Sequence, residues 1–261
     1  MTSRGWNKTA LITGASGGIG LELATICAEH GHDLVLVARS HERLGAIAAD
    51  LRHVYNINVL SIEQDLAKKG AAAKIMQELE DNKIELEILI NNAGFGHREA
   101  IADADIKRGL DMIQVNAAVL TELTALVVSG MVKRGNGRVL NVASTAAFAP
   151  GPFMAVYHAT KAYVLSFSQA IHQELKGSGV IVTALCPGPT VTHWAASAGV
   201  NVAKFNARAM SAHEVAKEGY GAMMAGRRVV IAGGKNKWRI GLLRFVPTGV
   251  ALKNFSWRRG R

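Results

Sequence analysis

Short apolar runs alternate with amphipathic stretches along most of this 261-residue chain, and that alternation is the strongest constraint on its fold. Runs of strand length predict strands over 8–13, 33–38, 58–63, 86–91, 138–144, 180–186 and 228–232. Helical periodicity predicts helices ending near 31 and spanning 41–54, 71–82, 103–133, 155–176 and 211–225. Strands buried on both faces are continuously apolar, and such alternation is typical of a parallel sheet. The sequence therefore predicts an α/β fold, a doubly wound parallel sheet of about seven strands with helices on both faces.

Composition excludes several other classes of protein. The chain is 49% hydrophobic and 19% charged, which is incompatible with general disorder. Its two cysteines, Cys27 and Cys186, exclude a disulfide scaffold and favour a reducing, cytoplasmic compartment. Residues 1–12 lack the apolar stretch and cleavage site of a secretory signal, and the long uncharged stretch 139–160 is interrupted by Pro150. We therefore expect neither a signal peptide nor a membrane span.

The net charge of +10 is located almost entirely in the C-terminal region. Residues 1–218 hold all 20 acidic residues and 20 of the 30 basic ones, whereas residues 219–261 hold ten basic residues and no acidic one. A basic surface on the main body is therefore not indicated. We predict one domain over 1–232, with a substrate lid near 192–210, and a basic amphipathic tail over 233–261.

The tail has three interpretations. Trp238, Leu242 and Phe245 recur at helical spacing among basic residues. Such a segment packs as a terminal helix on the body or on a partner subunit, lies on an anionic membrane surface, or binds nucleic acid. We favour the first interpretation. Nucleic acid is disfavoured because the chain has no recognised nucleic-acid motif, and strongly salt-dependent binding would distinguish it.

A glycine-rich turn follows the first predicted strand, in the segment TGASGGIG with Gly14, Gly18 and Gly20. Glycines at a strand–helix junction allow a sharp turn and let a pyrophosphate approach the helix N-terminus, where free N–H groups and the helix dipole favour negative charge. The spacing GxxxGxG differs from the usual GxGxxG fingerprint. The turn predicts a Rossmann-like dinucleotide site, and the alternative is an ordinary tight turn.

The end of the second predicted strand bears on the choice of cofactor. Dinucleotide folds that use NAD place an acidic residue there to bind the ribose 2′-hydroxyl, but this chain has Ala38, Arg39 and Ser40. Arg39 can bind a 2′-phosphate through its planar guanidinium and Ser40 can add a hydrogen bond, which predicts NADP(H). The alternative for Arg39 is a solvated surface residue. Asp65, after the third strand, is a candidate acceptor for the adenine amino group or else a helix N-cap.

Ser144, Tyr157 and Lys161 have the spacing S-x12-Y-x3-K and form the most specific feature of the chain. Tyr157 and Lys161 lie four positions apart on a predicted helix and so share one face. A neighbouring lysine cation favours the phenolate, and a pKa near 7 for Tyr157 requires a shift of about 3 units, or roughly 4 kcal/mol. Ser144, expected to end the fifth strand, would hold a substrate oxygen. A lone YxxxK, by contrast, is usually a solvated helix surface.

At this point the chain resembles the short-chain dehydrogenase/reductase family. TGASGGIG at 13–20, NNAG at 91–94, Ser144, YHATK at 157–161 and PGPTVT at 187–192 occur in that family's order. The resemblance spans residues 13–192 and implies a similar fold to about residue 232. The extended basic tail departs from many family members, which end earlier.

The resemblance implies the role of each matching residue. Tyr157 would be the general acid/base, Ser144 the donor to the substrate oxygen, Lys161 the group that binds the nicotinamide ribose and lowers the Tyr157 pKa, and Asn116 the residue that holds a water in the proton relay. The remaining positions would bind the dinucleotide: Gly14, Ser16, Gly18, Ile19, Gly20, Arg39, Ser40, Asp65, Leu66, Asn92, Ala93, Gly94, Pro187, Gly188, Thr190 and Thr192.

The sequence thus predicts an NADP(H)-dependent oxidoreductase that interconverts a ketone or aldehyde and an alcohol. The rival is a non-catalytic dinucleotide sensor on the same fold, which the intact serine, tyrosine and lysine disfavour. The nine histidines are scattered without ligand spacing, so no metal site is expected. Apolar positions all round the helix over 103–133, such as Leu126 and Val128, predict a homodimer or homotetramer. The identity of the small-molecule substrate is not encoded in any recognisable pattern.

Overall fold

The computed structural model describes residues 6, 8–206, 209–243, 245–247, 249 and 252. Its strands are β1 (Thr9–Thr13), β2 (Leu34–Ala38), β3 (Val59–Glu63), β4 (Leu86–Asn91), β5 (Gly137–Val142), β6 (Val180–Cys186), β7 (Thr190–Val191), β8 (Met210–Ser211) and β9 (Val229–Ile231). Its helices are α1 (Gly18–Glu29), α2 (His41–Tyr55), α3 (Ala71–Asp81), α4 (Ile106–Ile113), α5 (Val119–Arg134), α6 (Ala155–Glu174), α7 (Trp194–Ser197), α8 (Val202–Asn206), α9 (Ala212–Met224) and α10 (Gly234–Leu243).

Seven strands form one parallel sheet in the order β3-β2-β1-β4-β5-β6-β9, which confirms the predicted α/β fold. The strand order reverses between β1 and β4, and ligands bind at such a switch point, beyond the carboxyl ends of the strands. The short strands β7 and β8 pair separately, at the two ends of the segment 192–210 predicted to be the lid.

The sheet is covered on both faces because alternate strand residues point to opposite sides. In β1, Ala10 and Ile12 pack with residues of α1, α2 and α9, whereas Leu11 packs with residues of α3 and α5. Every residue of β1 and β2 is buried, as the continuous apolar runs predicted.

The helix predicted over 103–133 is built differently. It begins at Ile106, because the Asp105 carboxylate accepts a hydrogen bond from the Arg108 amide (3.2 Å) and caps the helix N-terminus. A π-helical segment, Gln114–Ala118, then separates α4 from α5. Such segments are rare and occur frequently at functional sites.

The stretch Ile106–Arg134 also meets the length and composition of a membrane span, with a mean hydropathy of 1.7. The expectation of no membrane span did not take this stretch into account. Its most apolar window is 44% buried, and Leu123 and Met131 are fully buried against the sheet, as in a core helix of a globular protein. Packing on the sheet therefore accounts for the length and the apolar composition of this stretch.

Two further boundaries bear on the site. Strand β5 ends at Val142 and not at Ser144, whose hydroxyl accepts a hydrogen bond from the Ala146 amide (3.0 Å) and begins a 3₁₀ turn. The first part of the predicted tail forms α10, whose Ile240 is only 6% exposed. The basic residues of the predicted tail at 244, 253, 258, 259 and 261 lie outside the described residues.

Candidate active site

A cavity of about 1040 Å³ opens along the carboxyl ends of the central strands. The sequence-predicted residues that line it are Gly14, Ser16, Gly18, Ile19, Arg39, Asn92, Ala93, Gly94, Ser144, Tyr157, Pro187, Gly188, Thr190 and Thr192. These residues follow β1, β2, β4, β5 and β6, so the parallel sheet gathers them at one edge. Six predicted residues are not part of its lining: Gly20, Ser40, Asp65, Leu66, Asn116 and Lys161.

The glycine turn forms one end of the cavity. Gly14 and Gly18 have φ values of 67° and 55°, which lie in the left-handed region that side chains disfavour. Gly20 is required for packing, because a Cβ atom there would collide with the Gly14 carbonyl and the Asn92 amide. Helix α1 starts at this turn, and its N-cap, Gly17, supplies no side-chain hydrogen bond. The helix N-terminus therefore offers main-chain N–H groups to a phosphate.

The loop after β4 is fastened to the glycine turn. The Thr13 hydroxyl accepts hydrogen bonds from the Asn92 and Ala93 amides (both 3.0 Å), and the Asn92 side chain donates to the Thr13 carbonyl (2.9 Å). The Asn91 side chain donates to Thr124 and Asn141 (both 2.9 Å), which ties the strand to α5 and β5. Asn92 thus holds the shape of the cavity with its side chain.

Two arginines that follow β2 line the cavity. Arg39 lines the cavity, and so does Arg43, which the sequence analysis missed. The Arg43 guanidinium lies 3.2 Å from the position of a Cβ atom on Gly17. Its place on the first turn of α2, four residues after Arg39, is the sequence feature that identifies it. The Ser40 hydroxyl instead caps α2 by accepting from the Arg43 amide (3.4 Å).

Asp65 and Leu66 lie apart from this cavity. The Asp65 carboxylate accepts a hydrogen bond from the Ala67 amide (3.0 Å) within a turn, and Gly70, not Asp65, is the N-cap of α3. Leu66 is 6% exposed and packs in the core beside Ile62. In this structure both residues shape the turn after β3.

Tyr157 and Lys161 project from α6 towards Ser144. Tyr157 is 9% exposed and Lys161 is 4% exposed, and the Lys161 ammonium donates to the Val142 carbonyl (2.8 Å), 6.0 Å from the centre of the Tyr157 ring. Burial raises the pKa of Tyr157 to about 12, which outweighs the lowering by its hydrogen bond to Ser144. Burial lowers the pKa of Lys161 to about 8. The side chains of this chain alone therefore do not produce the expected Tyr157 pKa near 7.

Asn116 lies in the π-helical segment and is fully buried. Its amide group donates to the Phe95 carbonyl (2.9 Å) and the Thr160 hydroxyl (3.1 Å), and its carbonyl accepts from the Phe95 amide (3.0 Å). A Cβ atom on Gly94 would lie 3.1 Å from the Asn116 carbonyl oxygen and 3.2 Å from the Lys161 ammonium. Asn116 thus joins the loop after β4 to the helix that carries Tyr157.

The other end of the cavity is mostly apolar. Trp194 lies against Tyr157 and Phe205, with ring centres 5.1 and 5.7 Å apart, and Phe95 and Met154 complete this part of the wall. His158 also lines the cavity, and its Nδ1 atom lies 2.7 Å from the Ala149 carbonyl. Trp194 and Phe205 both belong to the segment 192–210 that the sequence predicts as the substrate lid.

Helix α10 supplies a wall that the sequence analysis did not anticipate. The cavity is also lined by Asn236, Arg239, Ile240, Leu242, Leu243 and Val246. Asn236 packs against Gly188, so the helix supports the loop after β6. Cys186, at the end of that strand, is fully buried, and burial raises its pKa to about 12, which leaves it a protonated apolar filler. Among the described residues no histidine, cysteine or carboxylate cluster suits a metal ion.

Comparison with known proteins agrees with this geometry. The family model described as short chain dehydrogenase matches residues 8–202. The very-long-chain 3-oxoacyl-CoA reductase of Homo sapiens is 33% identical over 190 residues, 70% of this chain, but this chain spans only 59% of that protein's length. A short-chain dehydrogenase from Sphingobium yanoikuyae, solved in complex with NADPH, is 34% identical with a TM-score of 0.82 and covers 92% of this chain and 97% of its own. The bulky-bulky ketone specific alcohol dehydrogenase of Comamonas testosteroni is 30% identical, with a TM-score of 0.77 and coverage of 92% and 95%.

Proposed function

This chain belongs to the short-chain dehydrogenase family, and on that premise we propose that it is an NADP(H)-preferring oxidoreductase that interconverts a ketone or aldehyde and an alcohol. The observation that carries the proposal is that Ser144 and Tyr157 line one cavity with a glycine turn and two arginines, while Lys161 lies buried one helical turn after Tyr157. A non-catalytic sensor has no use for a buried acid–base pair at this point.

The proposed dinucleotide fits the residues present. The uncapped N-terminus of α1 suits the pyrophosphate, and Arg39 with Arg43 suits a 2′-phosphate, since β2 ends at Ala38 without a carboxylate. The bound nicotinamide supplies or accepts the hydride, and the protein supplies orientation and proton transfer. The similar short-chain dehydrogenase from Sphingobium yanoikuyae was solved with NADPH, which supports the same preference.

Tyr157 transfers the proton in this proposal. Its pKa of about 12 keeps the phenol protonated at neutral pH, so it is ready to donate to a carbonyl oxygen that is being reduced. Ser144, already hydrogen-bonded to Tyr157, holds the same oxygen, and the Lys161 cation favours the phenolate that proton donation leaves. Asn116 acts as a positioning residue for this helix and loop.

The substrate we propose is a carbonyl compound with a sizeable apolar group. Phe95, Met154, Trp194 and Phe205 give the wall beyond Tyr157 its apolar character, and hydrophobic lining is what retains such groups. Reductases and dehydrogenases whose names specify a very-long-chain oxoacyl group or a bulky ketone are among the similar proteins.

A panel of carbonyl compounds tests the proposal most directly. Purified protein is incubated with NADPH or NADH and each compound, and cofactor oxidation is followed by absorbance. We expect NADPH-dependent turnover that rises with the apolar size of the substrate. NADPH binding without turnover of any carbonyl or alcohol, in either direction, would favour the sensor.

We also propose a homodimer or homotetramer in a cytoplasmic compartment. Ile106, Leu110 and Ile113 lie at helical spacing on α4 and are 77%, 60% and 44% exposed, an apolar stripe that a second subunit would cover. The buried free thiols of Cys27 and Cys186 suit a reducing compartment. Light scattering tests the assembly, and fractionation of cells that express the protein tests the location.

A further inference from the structure

The outer face of α10 and the turn after it carry an exposed apolar stripe. Trp238, Leu242 and Phe245 follow one another at helical spacing and are 69%, 47% and 86% exposed. The Phe245 amide donates to the Leu242 carbonyl (3.0 Å), so the last residue of the stripe is held by the end of the helix. Large aromatic side chains on a surface indicate a binding site more strongly than scattered aliphatic ones do.

The stripe cannot turn inward, because the opposite face of α10 is already packed. Ile240 is buried, and the Asn236 side chain donates to the Ala232 carbonyl (2.8 Å). At the start of the helix, the Glu218 carboxylate accepts from the Gly233 amide (3.1 Å) and lies 3.6 Å from the Lys237 ammonium. These contacts fix the rotation of the helix about its axis, with the stripe towards solvent.

The helix that carries the stripe is basic, with Lys235, Lys237 and Arg239 and no acidic residue. Lys235 and Arg239 are exposed beside the stripe. In the sequence, the whole region 219–261 has ten basic residues and no acidic one, although five of the ten lie outside the described residues. Two copies of this surface facing each other would bring like charges together, which disfavours a second copy of this chain as the occupant. Charge complementarity points to an anionic surface.

We infer that α10 and the turn 245–247, here called the tail surface, bind an anionic lipid bilayer. A helix that lies in a membrane interface places aromatic and aliphatic residues in the acyl boundary and basic residues at the head groups. Trp238 and Phe245 supply the first element, and Lys235 and Arg239 supply the second. The helix lies along the surface and does not cross it, because its ten residues are too short to span a bilayer.

Bilayer binding has a consequence for the cavity. Arg239, Leu242 and Val246 belong to the tail surface and also line the cavity, so the mouth of the cavity would face the head groups. An apolar substrate dissolved in the bilayer would then reach the site without crossing water. Binding itself is independent of the proposed oxidoreductase activity and is measured without turnover.

The full chain is tested by co-sedimentation with vesicles of phosphatidylcholine alone and of phosphatidylcholine with phosphatidylglycerol. We expect binding only to the anionic vesicles, weakening as salt is raised. A blue shift of tryptophan emission should accompany binding and should shrink in Trp238→Ser, since this exposed indole enters the interface. Absence of binding to the anionic vesicles at low salt would overturn the inference.

Paired variants separate the tail surface from general effects of charge and apolarity. Trp238→Ser with Phe245→Ser should weaken vesicle binding at least about tenfold, whereas Val54→Ser, an exposed apolar residue on α2, should not change it. Lys235→Glu should weaken binding about fivefold or more, and Lys69→Glu should have a much smaller effect.

NADPH affinity and the mass from light scattering are the companion measurements for these variants. Both should be unchanged in the doubly substituted protein, because neither Trp238 nor Phe245 lines the cavity. A double variant that binds vesicles normally would overturn the inference. A lower mass for that variant would do so as well, since it would identify the stripe as a contact between subunits. Failure of NADPH binding in the unmodified protein would instead count against the proposed function alone.

Discussion

Lys161 is held in the fold as a buried cation with one hydrogen-bond partner among its described contacts, and this predicts an unusual effect of removing it. Its ammonium donates to the Val142 carbonyl, and burial lowers its pKa from 10.5 to about 8. A lowered pKa means that the charged form is disfavoured in the folded state. The difference corresponds to about 3 kcal/mol of stability that the folded protein lacks at neutral pH.

The sign follows from proton binding in the two states. Between about pH 8 and 10.5 the unfolded chain keeps the Lys161 proton and the folded protein has lost it, so stability contributed by this group rises with pH through that window. Below pH 8 both states carry the proton and the penalty is complete. Lys161→Met has no proton to lose, so the stability difference between variant and unmodified protein should shift by about 3 kcal/mol between pH 7 and pH 10.5.

Urea unfolding of the cofactor-free protein at several pH values measures this shift. The free energy of unfolding of Lys161→Met, relative to that of the unmodified protein, should be highest at pH 7 and lowest at pH 10.5. At pH 10.5 only the loss of the hydrogen bond, about 1 kcal/mol, remains. Lys69→Met, at an exposed position, is the control and should stay within about 0.5 kcal/mol at both values. A stability difference that does not change with pH, or that favours Met more at high pH, would refute the reasoning. Activity of Lys161→Met should be lost at every pH, which separates its roles in folding and function.

Three other changes test the site and the assembly. Tyr157→Phe should keep NADPH binding but reduce turnover by about 10²- to 10⁴-fold, as measured by steady-state kinetics and cofactor titration; near-normal turnover would exclude its acid–base role. Ala38→Asp with Arg39→Ala should weaken NADPH binding by roughly 10- to 150-fold and favour NADH, and calorimetric titration that finds no change would exclude the 2′-phosphate contact. Leu110→Glu should lower the mass in light scattering, whereas an unchanged oligomer would exclude the α4 stripe as the contact.

Where the sequence analysis succeeded, the position of a residue was determined by the sheet. The apolar strands could be recognised because they are buried on both faces, and a parallel sheet brings the ends of β1, β2, β4, β5 and β6 to one edge. Every residue placed directly after such a strand end therefore came close to the others. This explains why the glycine turn, Arg39, Ser144 and Pro187 meet in one cavity although up to 173 positions separate them in the chain.

The hydrogen-bond partner of a polar side chain was harder to predict where several local partners are within reach. Ser40 and Asp65 use their oxygen atoms on main-chain amides two or three residues ahead, and Asn116 uses its amide on Phe95 and Thr160. Short polar side chains have such options wherever a turn or helix begins, and spacing alone does not rank them. The difference between the expected and the observed pKa of Tyr157 has a similar reason. The sequence shows the nearby lysine, which lowers the pKa, but not the degree of burial, which raises it.

In the tail, the sequence likewise does not determine which apolar residues are buried. Trp238, Leu242 and Phe245 have the spacing that usually marks the buried side of a helix, yet they face solvent, while Asn236, Ile240 and Leu243 have the same spacing and face the protein. Both triplets fit one helix, and only the contacts with Gly188 and Glu218 decide which one turns inward.

That choice gives the two faces of α10 different tasks. The inner face, with Ile240, shapes the apolar end of the cavity and therefore bears on which carbonyl compound fits. On the outer face, Trp238 and Phe245 do not line the cavity and are free to bind a surface, whereas Leu242 between them also lines it. Substitution of Ile240 should change substrate selectivity while substitution of Trp238 leaves it unaltered, because the two side chains lie on opposite faces of a helix about 10 Å in diameter.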